Sequence, residues 1–399
     1  MVLFTRFRLM LMALTVLAPL AVPAAASAEP AFYQASEQEV QGRPGTLIRQ
    51  EPRRGAPLGA QAYRVLYRST GLKGEPIAVS GMVIVPPGPA PQGGRPIVAW
   101  AHPTSGIEPQ CAPSLAHFGL QQIQGLRDMI RHGYIVTATD YPGLGTPGPH
   151  PYLVGKSEGR AVLDAVRAAR ELAGEAAASN HFAVWGHSQG GQASLYAGLL
   201  AKEYAPELDL AGIAVAAPAT ELGQLLRDDL PTPAGKNLLA MTLWSWSRVF
   251  DISLEKVVAP AAIPIVNALA KTCLESPLDI EPRLRFGRDL QKRFLLVNNL
   301  TEIEPWRNLL AENTIGTLPP SIPVFIAQGT ADKVVDPPVT AAYMKEICAA
   351  GSHVTFLSLP GVGHGSAAMK SALTAVGWMA GRFAGSPAEN DCPEASARD

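Results

Sequence analysis

From Arg95 onward, short apolar runs alternate with stretches of helical period. The runs are "RPIVAWAH", "GYIVTATD", "HFAVWG", "LAGIAVAAPA", "SIPVFIAQG" and "SHVTFLSLPG". Runs that are continuously apolar, rather than alternating with polar residues, suit parallel strands covered on both faces. Helical patterns separate them at Leu120 to His132, Lys156 to Leu172, Gln189 to Glu203, Pro338 to Ala350 and Gly365 to Phe383. This alternation predicts an α/β fold, a mostly parallel central sheet flanked by helices. Two earlier runs, "QAYRVLYRST" and "PIAVSGMVIVP", lie close enough to pair as a hairpin. The chain before Ala60 and after Ser386 shows little periodicity and is expected to wrap the surface.

One interval breaks the rhythm. Between Thr220 and Pro319 the sequence is helical and loop-like, with no convincing buried strand, and it reads as an insertion over the sheet. Its apolar stripes, in "NLLAMTLWSWSRVF" and "VVAPAAIPIVNALA", suit either the core of a cap or an apolar wall facing a substrate. The expected organisation is a signal peptide at 1–28, a core in two parts at 29–219 and 320–386, an inserted helical cap or lid at 220–319, and a tail at 387–399.

The signal peptide follows from Arg6 and Arg8 ahead of an apolar run that ends at Ala26-Ser27-Ala28, a small-x-small cleavage site. Pro19 and Pro23 interrupt that run and shorten it below the roughly 20 residues of a membrane span. Export, to a periplasm or the medium, places Cys111, Cys273, Cys348 and Cys392 in an oxidising compartment, where two disulfides are expected and three pairings are open. Lys and Arg total 33 against 34 Asp and Glu with no basic block, so no nucleic acid partner is expected. No phosphate-binding loop, His-Glu-x-x-His or paired Cys-x-x-Cys appears, so neither a metal nor another cofactor is expected.

The residues with chemical potential begin at Gly186-His187-Ser188-Gln189-Gly190, between an apolar strand and a helix. Gly-x-Ser-x-Gly in that context predicts a sharp turn that lifts a serine oxygen above the carboxyl edge of the sheet, beside a helix N-terminus. Its glycines are required because neither strand nor helix leaves room for a Cβ. A serine hydroxyl needs a base and an orienting acid to act as a nucleophile. Asp332 and His364 follow the next two strands in the order serine, acid, histidine, with Asp336 as the rival acid. An attacked carbonyl also needs N–H donors for its oxyanion. Gln189 is one candidate, and Thr104 in "VAWAHPTSG" is the other, because Pro103 has no N–H to give. His102 is expected to shape that loop, His187 to pack or bond to backbone, and His150 to be structural. His117, His132, His181 and His353 are expected at the surface or as caps.

With these motifs the chain resembles the secretory lipase family, of the fungal lipase A type, within the α/β-hydrolases. The likeness rests on "VAWAHPTSGIEPQCAPS", "DYPGLGTPGPHPYLVGKSEGRAVLDAVRAAR", "QGTADKVV" and "GVGHG", and spans most of Ala60 to Phe383. It implies an α/β-hydrolase fold, Ser188 as nucleophile, Asp332 as acid, His364 as base, and the insertion as a lid. It also implies sequential disulfides, Cys111 with Cys273 and Cys348 with Cys392. Family members commonly have His-Gly-Thr where this chain has His102-Pro103-Thr104. The expected activity is hydrolysis of fatty acyl esters such as triacylglycerol, with a small-molecule or lipid ester substrate and transient lipid contact through the cap. A serine peptidase or an acyltransferase would use the same triad, and a pure binding module would require a broken one.

Overall fold

The computed structural model describes residues 31–274, 277–291 and 293–393. The signal-peptide expectation for 1–28 lies outside them. The strands are β1 (Leu47–Arg53), β2 (Gln61–Thr70), β3 (Pro76–Val85), β4 (Arg95–Ala101), β5 (Ile135–Thr139), β6 (Ala178–His187), β7 (Asp209–Ala216), β8 (Val324–Gly329) and β9 (Val354–Leu359). Among the described residues they form one sheet in the order β1-β2-β3-β5-β4-β6-β7-β8-β9. The first three strands and β5 pair antiparallel, and every pair from β5 to β9 is parallel. The order reverses around β4, so loops at the carboxyl ends of β4 and β6 meet there, the usual place for a site in such sheets.

The helices are α1 (Leu126–Arg131), α2 (Gly155–Ala173), α3 (Gln189–Tyr204), α4 (Leu222–Asp229), α5 (Pro233–Val249), α6 (Ile263–Ala270), α7 (Ile280–Leu290), α8 (Trp306–Glu312), α9 (Pro337–Ala349) and α10 (Ala367–Phe383). Successive strand residues point to opposite faces. Val98, Trp100, Ala183 and Trp185 therefore pack with α1 and α10, while Ile97, Ala99, Phe182 and Val184 pack with α2 and α3. Both faces are covered, which is why these runs carry no polar alternation.

Two expectations need correction. The chain before Ala60 does not merely wrap the surface, because Leu47–Arg53 is an edge strand of the sheet. Its sequence, LIRQEPR, has no fully buried residue, exposes Gln50 and Pro52, and pairs charges with neighbours, Arg49 with Glu39 and Glu51 with Arg64, so no apolar pattern marks it. The pattern from Leu120 to His132 is not one helix. A 3-10 turn at Gly119–Gln122 is followed by Gly125 at φ 82, and α1 starts at Leu126. A Cβ at Gly125 would stand 3.1 Å from Val376 on α10, so a close interhelical approach breaks the helix there. At the other end, Asp391 bonds Val354 and Phe356 of β9, and Cys392 is disulfide-bonded to Cys348 of α9. The tail thereby blunts an edge strand that would otherwise expose unpaired backbone.

The segment between β7 and β8 contains α4 to α8, with only an isolated bridge, Val258 to Leu295, among its described residues. It is tied to the loops at the carboxyl ends of the strands. Ser245 donates to the His150 carbonyl and accepts from Tyr152 N–H. Trp246 Nε1 donates to the Tyr152 carbonyl, and Cys273 is bonded to Cys111 beyond β4.

Candidate active site

Ser188 is the residue between β6 and α3, with φ 56 and ψ −118, a backbone conformation that costs a non-glycine residue of order 1–3 kcal/mol. The neighbours explain how it is held. A Cβ on Gly190 would lie 2.0 Å from the Ala101 carbonyl oxygen, and one on Gly186 2.1 Å from the Gly190 carbonyl oxygen. Strand and helix are in backbone contact on both sides of the serine. Ser188 N–H is anchored to the Ala216 carbonyl at 3.0 Å.

His364 follows β9 and precedes α10. Its Nε2 is 2.8 Å from Ser188 Oγ, and its Nδ1 is 2.8 Å from Asp332 Oδ2. An ionised carboxylate only accepts, so Nδ1 carries the proton and Nε2 is free to accept from the serine hydroxyl. Asp332 is buried in the loop after β8, where its Oδ1 accepts the N–H groups of Val334 and Val335, both at 2.9 Å. Burial works to raise its pKa, but the bonds from His364 and these amides prevail and hold it below the ordinary carboxylate value. Asp336, the rival acid, is instead the N-cap of α9.

His187 is buried against the other side of His364, with ring centroids 4.9 Å apart and Nε2 donating to the His364 carbonyl at 3.0 Å. Burial, reinforced by the positive charge His364 can carry, lowers its pKa to about 3, so it stays a neutral brace. His102 bonds the backbone of Pro103 and Asp140, and burial lowers its pKa to about 4.

Gln189 is the first residue of α3, so its N–H has no acceptor four residues back within the helix. Thr104 lines the cavity, its hydroxyl 2.9 Å from that of Tyr152. Behind Gln189 is a buried polar cluster. Its amide nitrogen donates to Glu158 Oε1 at 2.7 Å and to His150 Nε2 at 3.1 Å, and His150 Nδ1 donates to the Pro142 carbonyl at 2.8 Å. Desolvation raises the Glu158 pKa to about 8, against the bonds from Gln189 and Leu153. Burial thus favours the neutral form of this carboxyl near neutral pH.

Sequence reasoning passed over Glu158, although a signal existed. It shares the buried face of α2 with Ala161, Val162 and Ala165, where an acidic residue is out of place. His150, expected to be structural, bonds backbone at the Pro142 carbonyl and also holds the side chain of Gln189. A cavity of about 410 Å³ opens above Ser188 and His364, lined chiefly by apolar side chains including Trp100, Leu238, Met241, Leu284 and Met369. Among the described residues no group of three or more His, Cys, Asp or Glu is arranged to hold a metal ion, and no helix is long and apolar enough to cross a membrane.

Similar proteins narrow the chemistry. The family model described as secretory lipase matches residues 120–391. A probable inactive lipase of Mycobacterium tuberculosis is 27% identical over 86% of this chain and 79% of its own length. A secreted triacylglycerol lipase of Malassezia globosa is also 27% identical, over 90% of this chain and 80% of its own. Among solved structures, Candida antarctica lipase A in its closed state superposes with a TM-score of 0.76 at 21% identity, covering 91% of this chain and 88% of that one. The rice cell wall degrading esterase of Xanthomonas oryzae gives 0.67 at 19% identity, covering 84% and 96%. The chain belongs to the secretory lipase family and is a lipase-like ester hydrolase of α/β-hydrolase fold.

Proposed function

We propose that this chain is a secreted serine ester hydrolase that cleaves fatty acyl esters, triacylglycerol among them, through an acyl-enzyme. His364, oriented by Asp332, takes the Ser188 proton as the hydroxyl attacks the ester carbonyl. The N–H groups of Gln189 and Thr104 hold the oxyanion, and His364 then protonates the leaving alcohol. In the second half His364 activates water, which releases the acid and restores Ser188. The observation that carries the assignment is the continuous hydrogen-bonded line from Ser188 Oγ through His364 to buried Asp332, built from three separate strand exits. The presence of all three side chains separates this chain from a fold kept only for binding.

The segment at 220–319 is assigned as a cap that forms one wall of the acyl pocket, between core parts at 29–219 and 320–386. Ile280 and Met369 are exposed at the cavity, which suits transient contact with a lipid surface. Hydrolysis of p-nitrophenyl esters from acetate to palmitate by the chain lacking its first 28 residues tests the proposal, with Ser188→Ala in parallel. Activity rising toward long acyl chains and lost in Ser188→Ala is expected. Substantial hydrolysis by that variant removes the mechanism, and activity confined to acetate removes the fatty acyl substrate.

A further inference from the structure

Arg283 shares the buried face of α7 with Gly287 and Leu290, and its side chain lines the same cavity as Ser188 and His364. It is only 5% exposed. A guanidinium keeps its charge and offers five N–H donors, and at such depth it is ordinarily met by a carboxylate. Here its partners are the Thr272 carbonyl at 2.7 Å, the Thr272 hydroxyl at 3.4 Å and the sulfur of Met241. Among the described residues no Asp or Glu forms an ion pair with it. Burial pulls its pKa below the ordinary guanidinium value, and the neighbouring Tyr152 and Asp279 offset only part of that.

The surroundings make this more than an isolated residue. Asn237 donates from Nδ2 to the Arg283 carbonyl at 2.8 Å, while its buried Oδ1 has no partner among the described residues. Ser105, next to Thr104, also has a buried hydroxyl without a partner, and its carbonyl accepts the N–H of Leu274 at 2.7 Å. Both residues line the cavity. Arg283 holds the Thr272 carbonyl and Ser105 holds Leu274 two residues on, so both border the cavity where the segment between β7 and β8 meets the loop after β4, and Asn237 lines the same cavity. A neutral alkyl chain packed there would leave the guanidinium desolvated with no anionic partner among the described residues.

We propose that Arg283 makes this end of the cavity a recognition site for an anionic oxygen group, a carboxylate or a phosphate, that the ester substrate carries away from its scissile bond. The guanidinium fork matches either group in two parallel hydrogen bonds. Ser105 Oγ adds a donor, and Asn237 Oδ1 accepts from a neighbouring substrate hydroxyl. The apolar wall at Leu238 and Leu284 takes the hydrocarbon that links the two ends. The proposal rests on the ester hydrolase assignment above and adds to its fatty acyl substrates a preference for amphipathic esters with a charged end.

The test compares p-nitrophenyl hydrogen adipate with its methyl-capped neutral ester, and with the ester of a phosphono acid of equal length. The ratio of kcat/KM for charged over capped substrate is expected to favour the charged one. It should fall about 10- to 100-fold in Arg283→Met, and less in Arg283→Lys, which keeps the charge but not the fork. The ratio is internal to each preparation, so a loss of folded protein cancels. An unchanged ratio in Arg283→Met, or a wild type that prefers the capped ester, overturns the proposal. A preference between the carboxylate and the phosphonate supports it and identifies the source. Calorimetric titration of Ser188→Ala with the adipate and capped esters separates this proposal from the hydrolase assignment. Selective loss of adipate binding on adding Arg283→Met supports the anion site even if no ester is hydrolysed, and equal binding with and without Arg283 overturns it.

Discussion

The turn around Ser188 and the insertion beside it are built in opposite ways. In the turn, backbone meets backbone at Gly186 and Gly190, and Ser188 is constrained by atoms a few residues away in sequence or on adjacent strands. The insertion is attached by side chains at a distance: Ser245 and Trp246 to the loop at His150 and Tyr152, Asn313 to Gly155 and Gln192, and Cys273 to Cys111. The first arrangement gives a rigid nucleophile. Under the proposed function, substitutions in the second are expected to change substrate preference before they change the chemistry of the turn.

The largest effect that would break this contrast is on the acid. Asp332→Asn should lower kcat on a short ester by about 10⁴-fold with little loss of stability, while Asp336→Asn stays near wild type. Comparable losses at both positions would mean that the geometry around His364 does not identify its partner. Gly190→Ala comes next. Its methyl would overlap the Ala101 carbonyl, so a loss on the order of 4 kcal/mol or more is expected, read as a denaturant midpoint. A well-folded, active Gly190→Ala protein would show that the turn is less tightly built than described.

The legibility of the sequence follows the same contrast. Gly-x-Ser-x-Gly between a strand and a helix is a local constraint, so the pattern betrays the structure. Asp332 and His364 are equally legible because each directly follows an apolar strand. The edge strand at Leu47–Arg53 is not, since half-buried charged residues satisfy one another and leave no apolar period. Gly125 looks like a tolerable glycine in a helix until α10 packs against it. Glu158 and Arg283 read as ordinary helix charges, and only their registers, with Ala161 and Ala165 in one case and Gly287 and Leu290 in the other, mark them as buried. What they touch is set by contacts far along the chain, which no local pattern encodes.

Smaller effects sharpen the insertion's side. Replacing Cys111 and Cys273 by Ser should cost about 2–4 kcal/mol. Replacing Cys348 and Cys392 should cost less, because that bridge closes a loop of sequence separation 44 against 162. Thermal melts of the two double variants rank them, and a larger loss for the second pair contradicts the tethering role given to the first.

Glu158→Gln tests the cluster behind Gln189. A carboxyl whose folded pKa is raised to about 8 supports folding fully below its unfolded value near 4.5, and that support is lost as pH rises toward 8. Glutamine cannot ionise, and its amide can donate to Gln189 Oε1, which has no partner among the described residues. The melting temperature of the variant relative to wild type should therefore climb by a few degrees between pH 5 and pH 8. A flat difference across that range would mean Glu158 is ionised in the folded protein. The smallest effect is expected for Ser245→Ala, about 1 kcal/mol, from the loss of its bonds to His150 and Tyr152.

The most direct measurement of the central claim is covalent labelling with a fluorophosphonate ester, located by peptide mass mapping in wild type and in His364→Ala. A single adduct on Ser188 in wild type, formed at least a thousandfold more slowly without His364, is the result expected of an activated serine. No adduct at Ser188, or one that forms equally fast in His364→Ala, would contradict the assignment of this hydrogen-bonded line as the catalytic machinery.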